Sequence, residues 1–146
     1  MKILVINGVN LNLTGKREKG VYGVKTLDEI NQGIAAYCKA KGDEVCFYQS
    51  NYEGGIVEKL HEAFLNASAD VIVLNAGAFT HYSYAIRDAI AAIDIPVAEV
   101  HLSNVFAREP FRKNSVISEV CTGSVCGFGE GSYLAAIEGL RFKIQK

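Results

Sequence analysis

The chain has 146 residues, 15 Lys and Arg against 16 Asp and Glu, and a formal net charge of −1. This length suits one domain of about 100–150 residues, and the balanced charge gives no basic surface for nucleic acid. The 49% hydrophobic content is too high for a disordered chain, and no apolar run approaches the roughly 18–20 residues of a membrane span. We therefore expect one domain over residues 1–146.

The N-terminal segment and the cysteines favour a cytoplasmic location. Residues 1–6 contain only four consecutive apolar residues, whereas a signal peptide needs about 7–15. The cysteines form no C-x-x-C pair and lie in apolar segments, which predicts buried, reduced thiols rather than disulfides or metal ligands. They are Cys38, Cys46, Cys121 and Cys126.

Strand-like and helix-like patterns alternate along the chain. Short apolar runs predict strands, and apolar residues that recur every three or four positions predict helices. In chain order these are a strand over 2–7, a helix over 26–41, a strand over 44–48, a helix over 55–66, a strand over 70–75, a helix over 82–93, a strand over 96–100, a strand within 116–126 and a helix over 130–141.

Two of the predicted helices carry further signals. Thr26 and Glu29 form a capping box at the start of the first helix, and Gly42 occupies a typical position for its C-terminal cap. The second helix, over 55–66, is expected to face the core with one apolar stripe. That stripe consists of Ile56, Leu60 and Phe64.

The alternation of strands and helices predicts an α/β fold with a parallel sheet covered on both faces. Five strands suit a flavodoxin-like, doubly wound sheet of order 2-1-3-4-5 in a three-layer α/β/α arrangement. In such folds the ligand crevice lies beyond the carboxyl ends of the strands. The two longest connections, 8–25 and 101–115, are expected to be functional for that reason.

Amides, hydroxyls and two of the three histidines follow the carboxyl ends of the predicted strands. The dinucleotide motif G-x-G-x-x-G and the phosphate-binding P-loop are both missing after the first strand, and the spacing of the histidines does not suit a metal site. The glycine-rich run 127–131 is expected to be a tight turn. The polar residues at this edge include Asn7, Asn10, Asn12, Gln49, Ser50, Asn51, Asn75, Thr80, His81, Glu99, His101, Ser103 and Asn104.

These residues belong to motifs that resemble the type II 3-dehydroquinate dehydratases. The matching stretches are NGVNLNL at 7–13, RE at 17–18, YG at 22–23, QSNYEG at 49–54, NAGAFTH at 75–81, IPV at 95–97, HLSNV at 101–105, ARE at 107–109, FR at 111–112 and GFG at 127–129. The positions that depart from the family's usual residues have no chemical role assigned to them. They are Val9, Thr14, Lys19, Tyr52 and Phe106.

The resemblance implies a lyase that needs no cofactor and no metal. Its reaction would be the dehydration of 3-dehydroquinate to 3-dehydroshikimate in the shikimate pathway, by β-elimination through an enolate. Such a reaction requires a base, an acid for the departing hydroxyl, stabilisation of the enolate and binding groups for a carboxylate. The resemblance also implies a dodecamer built from trimers.

By resemblance, Tyr22 is the base that removes the proton beside the ketone. A free phenol is protonated at neutral pH, and a nearby cation such as Arg17 or Arg108 would favour the phenolate. Arg17 is expected to lie on a lid over the site. The residues alone leave an alternative open, in which Tyr22 is a packed loop aromatic and Arg17 belongs to the solvated charged run 16–19.

His101 is the implied general acid, and Glu99 is its partner. The two are separated by one residue on a strand, so their side chains share a face, and a carboxylate can fix the tautomer of an imidazole. A structural histidine satisfied by a carboxylate is the alternative. Asn10 would hold the water or dipole that stabilises the enolate oxygen, unless it is simply a turn-forming asparagine.

The implied substrate-binding residues are Asn75, Gly77, His81, Asp88, Leu102, Ser103, Arg108 and Arg112. Arg112 suits a carboxylate because its two N–H groups can bind both oxygens, although a surface pair with Glu109 would also explain it. Asp88 lies about 200° around its helix from the core residue Ile86, so it is expected to face outward. The resemblance places this outward Asp88 in the site of an adjacent subunit.

Two other functions stay open from the residues alone. Asparagine-rich loops on this fold could bind FMN or another small ligand without catalysis. The domain could also serve as a scaffold that uses only its oligomer contacts, but Tyr22, Arg17 and His101 would then have no purpose.

Overall fold

A computed structural model describes residues 1–16 and 18–145. Within these residues, five parallel strands form one sheet of order β2-β1-β3-β4-β5. The predicted flavodoxin-like, doubly wound fold is therefore confirmed. The strands are β1 (Lys2–Asn7), β2 (Glu44–Gln49), β3 (Val71–Asn75), β4 (Val97–His101) and β5 (Gly123–Cys126). The helices are α1 (Lys19–Tyr22), α2 (Leu27–Ala40), α3 (Glu53–Leu65), α4 (Tyr84–Ala91) and α5 (Gly131–Ile144).

The sheet separates two hydrophobic layers. One face packs against α3 and α4, and the other packs against α2 and α5. Strands β3 and β4 are buried along their whole length, as expected for central parallel strands. The edge strands β2 and β5 are only partly buried, so the prediction of sheet faces covered throughout holds for the centre of the sheet alone.

Local sequence signals explain where the longer helices begin and end. The capping box between Thr26 and Glu29 is present at the start of α2, and Gly42 has φ of 73° just beyond its end. Helix α4 begins two residues later than predicted, because the Ser83 side chain accepts a hydrogen bond from the amide of Ile86 and caps it there. The preceding residues form the 3-10 helix Gly77–His81.

Two predictions about side-chain burial are wrong. Phe64 is exposed, and Ala63 is the residue of that helical turn that packs into the core beside Leu60. Among the cysteines, Cys38 is buried but Cys46 is exposed, because β2 lies at the edge of the sheet and turns alternate side chains to solvent. No helix in the described part of the chain is long and apolar enough to cross a membrane.

The loops after β1 and β3 approach each other at the carboxyl edge of the sheet. Asn7 and Asn75, the last residues of these strands, are partners in the parallel register. A Cβ atom added to Gly8 would lie 2.2 Å from the carbonyl oxygen of Ala76, so only glycine allows this approach. Gly77, with φ of 63°, likewise faces the Val9 carbonyl at 2.8 Å from a hypothetical Cβ. The close packing of these two loops forms the base of the crevice at this edge of the sheet.

Candidate active site

A cleft of about 600 Å³, open to solvent at its mouth, lies at the carboxyl edge of the sheet. It is the crevice that the doubly wound topology predicts. Its walls come from the loops after β1, β3 and β4 and from helix α1. It brings together these predicted site residues: Asn10, Tyr22, Asn75, Gly77, His81, His101, Leu102, Ser103, Arg108 and Arg112.

Two of the predicted site residues that the structure describes do not line this cleft. Glu99 lies behind His101, with only 2% of its surface exposed. The side chain of Asp88 is 74% exposed and pairs with Arg87 at 2.9 Å, so it faces away from its own cleft, as predicted. Arg17 lies outside the described residues, so its predicted role on a lid stays a prediction.

His101 and Glu99 form a buried pair at the end of β4. The Nε2 of His101 lies 2.6 Å from Oε1 of Glu99. Although burial raises the pKa of Glu99, hydrogen bonds from His101, Ser118 and Ser115 outweigh it and lower that pKa below its usual range. Glu99 is therefore a carboxylate at neutral pH, and Nε2 of His101 donates to it. This arrangement fixes the ring and stabilises a positive charge on it.

Tyr22 also lines the cleft and lies beside a cation. Nη1 of Arg108 donates to the Tyr22 hydroxyl oxygen at 2.8 Å, and the guanidinium carbon lies 5.0 Å from the ring centroid. The same Nη1 donates to the Ser103 hydroxyl at 3.2 Å. Arg108 is 12% exposed, so its charge acts on the phenol with little screening by water.

Asn75 is fixed by a buried hydrogen-bond chain. Its Oδ1 accepts from the amide of Gly77 at 3.2 Å, and its Nδ2 donates to the Tyr133 hydroxyl at 2.8 Å. Tyr133 in turn donates to Oδ1 of Asn7 at 2.6 Å. Because burial raises the pKa of Tyr133, its hydroxyl stays protonated and the chain has one direction. The second N–H of Asn75 Nδ2 is thus available as a donor.

His81 and Arg112 also line the cleft. Nδ1 of His81 is 2.7 Å from the carbonyl oxygen of Asn114, which can only accept, so Nδ1 carries a proton. The ring also packs edge-on against Phe111. Arg112 forms an ion pair with Glu109, so the surface pair considered above exists, and Arg112 nonetheless lines the cleft.

Asn10 begins the loop that follows β1. It has φ of 66°, a left-handed conformation that asparagine tolerates, and its amide donates to Oδ1 of Asn51 at 2.9 Å. The turn-forming interpretation of Asn10 therefore describes its backbone, while its position in the cleft leaves a catalytic role open. Among residues 1–16 and 18–145, no group of three His, Cys, Asp or Glu side chains is placed to hold a metal ion.

Comparison with known proteins agrees with this geometry. The family model described as dehydroquinase class II matches residues 1–141. The chain belongs to this family. It is 56% identical over 137 residues to the 3-dehydroquinate dehydratase of Pelotomaculum thermopropionicum, covering 94% of each chain. It is 52% identical over 143 residues to that of Clostridium beijerinckii, covering 98% of this chain and 97% of the relative. The crystal structure of type II dehydroquinase from Butyrivibrio crossotus has a TM-score of 0.94 at 52% identity, covering 97% of each chain.

The structure of this class II dehydroquinase also shows residues that sequence reasoning missed. Tyr133 connects Asn7 to Asn75, and Ser115 and Ser118 donate to Glu99. The position of Asn7 and Asn75 at the ends of two neighbouring strands was a sequence signal that their side chains lie close together, where Tyr133 connects them. The two serines carry no sequence signal, because only the folded path of the loop before β5 brings them to Glu99.

Proposed function

We propose that this class II dehydroquinase is a hydro-lyase that converts 3-dehydroquinate to 3-dehydroshikimate and water in the shikimate pathway. The observation that carries the proposal is a single cleft lined both by a phenol beside a guanidinium and by an imidazole held by a buried carboxylate. These are the base and the acid that a β-elimination requires. The relatives carry the same activity in their names, and nothing in them favours an FMN-binding module.

Proton removal is the part of the reaction that we assign to Tyr22. Arg108 donates to its oxygen, and Arg17 is proposed to add a second positive charge from the loop before α1. The phenolate takes the proton next to the substrate ketone, which leaves an enolate. Asn10 is proposed to stabilise the enolate oxygen, directly or through a water molecule.

Loss of the hydroxyl is the part that we assign to His101. With its Nε2 bound to Glu99, the ring presents Nδ1 as the nitrogen that protonates the leaving oxygen. The C–O bond breaks as the enolate reforms the ketone, and the product is a conjugated enone. The anionic Glu99 stabilises the imidazolium before this transfer and is itself not consumed.

Substrate binding is proposed for the remaining residues of the cleft. Arg112 can bind a carboxylate or hydroxyl once it leaves Glu109, and the backbone of Leu102 with the Ser103 hydroxyl provides further donors. Asn75 donates its second N–H to a substrate oxygen, and Nε2 of His81 is the ring nitrogen left for a substrate hydroxyl. Gly77 is proposed to contribute through its backbone, which lines the cleft and donates to Oδ1 of Asn75.

We further propose a dodecamer built from trimers, in which Asp88 contacts substrate in an adjacent subunit. The outward, 74% exposed carboxylate of Asp88 supports this assembly. Tyr82 and Tyr84, near the start of the same helix, are 59% and 67% exposed, and large exposed aromatic residues are typical of subunit interfaces. A cytoplasmic location for this domain of residues 1–146 is supported by its four free thiols, which persist in reducing compartments.

Ultraviolet absorbance tests the function directly, because the enone product absorbs and the substrate does not contain that chromophore. Purified protein mixed with 3-dehydroquinate should produce a rising enone absorbance without any added metal or cofactor. The same protein treated with heat should produce none. A flat trace with the native protein would overturn the assignment.

A further inference from the structure

The segment 114–118 runs behind both histidines of the cleft. At its start, the carbonyl oxygen of Asn114 accepts from Nδ1 of His81. One residue later, the Ser115 hydroxyl donates to Oε2 of Glu99 at 3.1 Å, and the Ser118 hydroxyl donates to the same oxygen. Neither serine takes part directly in the proposed reaction. Their contacts with Glu99 nevertheless affect His101, the acid of that reaction.

The direction of the Ser115 hydroxyl follows from its other contacts. Its oxygen accepts from the amide of Ile117 at 3.3 Å and from the amide of Ser118 at 3.1 Å. With its lone pairs engaged by these two donors, the hydroxyl proton is left for Glu99. Ser115 is therefore a donor to Glu99, which requires Oε2 to be an unprotonated acceptor.

Glu99 then receives three protons in hydrogen bonds, one on Oε1 from His101 and two on Oε2 from the serines. A carboxylate with 2% exposure would lose its hydration without such partners. Hydroxyl donors on Oε2 compensate for that loss. They also disfavour the neutral pair, in which the Nε2 proton of His101 moves to Oε1, because a carboxylate accepts the two serine hydrogen bonds more strongly than a neutral carboxylic acid does.

We propose that Ser115 and Ser118 are positioning residues that keep Glu99 ionised and thereby keep His101 as the imidazolium that protonates the leaving hydroxyl from Nδ1. This inference rests on the proposed function of His101 as the acid. Without the serines, a larger fraction of the pair would exist as neutral carboxylic acid and neutral imidazole. In that state His101 keeps a proton on Nδ1 but is a neutral imidazole, a much weaker acid than the imidazolium, so it transfers that proton poorly to the leaving hydroxyl, although substrate binding would be unaffected.

The other titratable groups near Glu99 do not take over the role of the two serines in keeping it ionised. His101 is its direct partner. The Cys121 thiol also interacts with Glu99 electrostatically, and burial together with the charge of Glu99 raises the pKa of Cys121 to about 12. The thiol is therefore neutral over the working range, so it adds no charge that competes with the serines.

Ser118 offers the cleaner test, because Ser115 also caps the turn that follows it. The Ser118→Ala variant removes one donor, and Ser118→Thr retains a hydroxyl. Ser124→Ala is the matched control, since Ser124 is exposed on β5 at the register position beside Glu99. Two readouts are measured for each: kcat and KM for 3-dehydroquinate, and the thermal midpoint between pH 3 and pH 7.

We expect Ser118→Ala to lower kcat about tenfold or more with KM within about twofold, as the loss of one charge-assisted hydrogen bond implies. Its thermal midpoint should fall below that of the wild type at pH 6, and the difference should shrink as the pH falls towards 3 and Glu99 becomes protonated. Ser118→Thr should restore both properties, and Ser124→Ala should leave both unchanged.

A wild-type kcat in Ser118→Ala, or a loss of thermal midpoint that is the same at pH 3 and pH 6, would overturn the inference. The second result would mean that Ser118 contributes only packing. If the wild type itself fails to turn over 3-dehydroquinate, the proposed function fails, and the pH dependence of the midpoint still tests the serine contacts. If Ser118→Ala does not fold, Ser118→Cys replaces it, and a weaker donor should give a smaller loss of the same kind.

Discussion

Arg108 connects three functional groups at the scale of single residues. It donates to the Tyr22 hydroxyl and to Ser103, and it lies within 4.0 Å of Glu109, which also pairs with Arg112. A guanidinium suits this position because its planar fork offers several donors at fixed angles. Arg108 therefore contacts the proposed base, Tyr22, and also lines the cleft that is proposed to bind the anionic substrate.

Replacement of Tyr22 by Phe should abolish the base without removing its packing. We expect kcat to fall by about 10²–10⁴-fold with little change in KM, since this is the usual contribution of a general base. Steady-state kinetics on 3-dehydroquinate measure both. Tyr52→Phe is the matched control, because Tyr52 is 80% exposed and should show wild-type values. Near-normal turnover by Tyr22→Phe would exclude Tyr22 as the base.

The Tyr133→Phe variant tests the buried chain behind Asn75. Removal of the hydroxyl leaves Nδ2 of Asn75 and Oδ1 of Asn7 without their partner, which should lower the free energy of unfolding by about 1–3 kcal/mol. KM should also rise, because the Asn75 amide is free to rotate. Denaturant unfolding and kinetics provide the two readouts. Unchanged KM would show that Gly77 alone orients the amide.

At the scale of elements, the site depends on how closely the loops after β1 and β3 approach. Gly8→Ala places a Cβ against the backbone of Ala76 and should destabilise the protein by about 1–3 kcal/mol and reduce kcat. Gly33→Ala is the contrasting variant, since nothing lies near that position in α2. It should stabilise by about 0.5–1 kcal/mol. Equal effects of the two substitutions, measured by denaturant unfolding, would contradict this explanation.

A buried ion pair joins the end of α5 to the start of β2. Arg141 donates to the buried Asp43 carboxylate, and the amino group of Met1 lies 2.9 Å from it. The hydrogen bond from Arg141 lowers the pKa of Asp43. Because this pKa is below its value in the unfolded chain, the stabilisation is present above about pH 4 and is lost as the pH falls through the native value.

Asp43→Asn should therefore lower the thermal midpoint more at pH 6 than at pH 3. The free energy of unfolding at pH 6 should fall by about 1–3 kcal/mol. Activity at 25 °C should change little, since the pair lies at the edge of the sheet opposite the cleft. A loss of thermal midpoint that is the same at the two pH values would show that the charge of Asp43 contributes nothing to stability.

Local patterns predicted the strands and helices, and the doubly wound topology that they suggest predicted the strand order, whereas Tyr22, Arg108 and Arg112 were assigned to the cleft through the family resemblance. Apolar periodicity set the strands and helices, and parallel topology placed Asn75, His81 and His101 at one edge. The contacts of Tyr133 and Ser118 could not be predicted, since they join residues far apart in the chain. Phe64 was misplaced because a helical stripe allows either of two neighbours to face the core, and only packing chose Ala63.

At the scale of the whole molecule, the outward Asp88 predicts a site completed by a second subunit. Asp88→Ala should lower kcat/KM by about 10–100-fold, the value of a hydrogen bond to a charged group. Co-expression with Tyr22→Phe should then restore about a quarter of wild-type turnover, because a random mixture forms some clefts with both residues intact. Absence of any restored activity in a mixed oligomer would place Asp88 outside the site.

The division of labour between Tyr22 and His101 is the central claim, and exchange of the substrate α-proton in D₂O tests it most directly. By proton NMR, His101→Ala should exchange this proton for deuterium while forming little enone, since Tyr22 still produces the enolate. Tyr22→Phe should neither exchange the proton nor form product. Exchange at the wild-type rate in Tyr22→Phe, or full product formation by His101→Ala, would contradict the account.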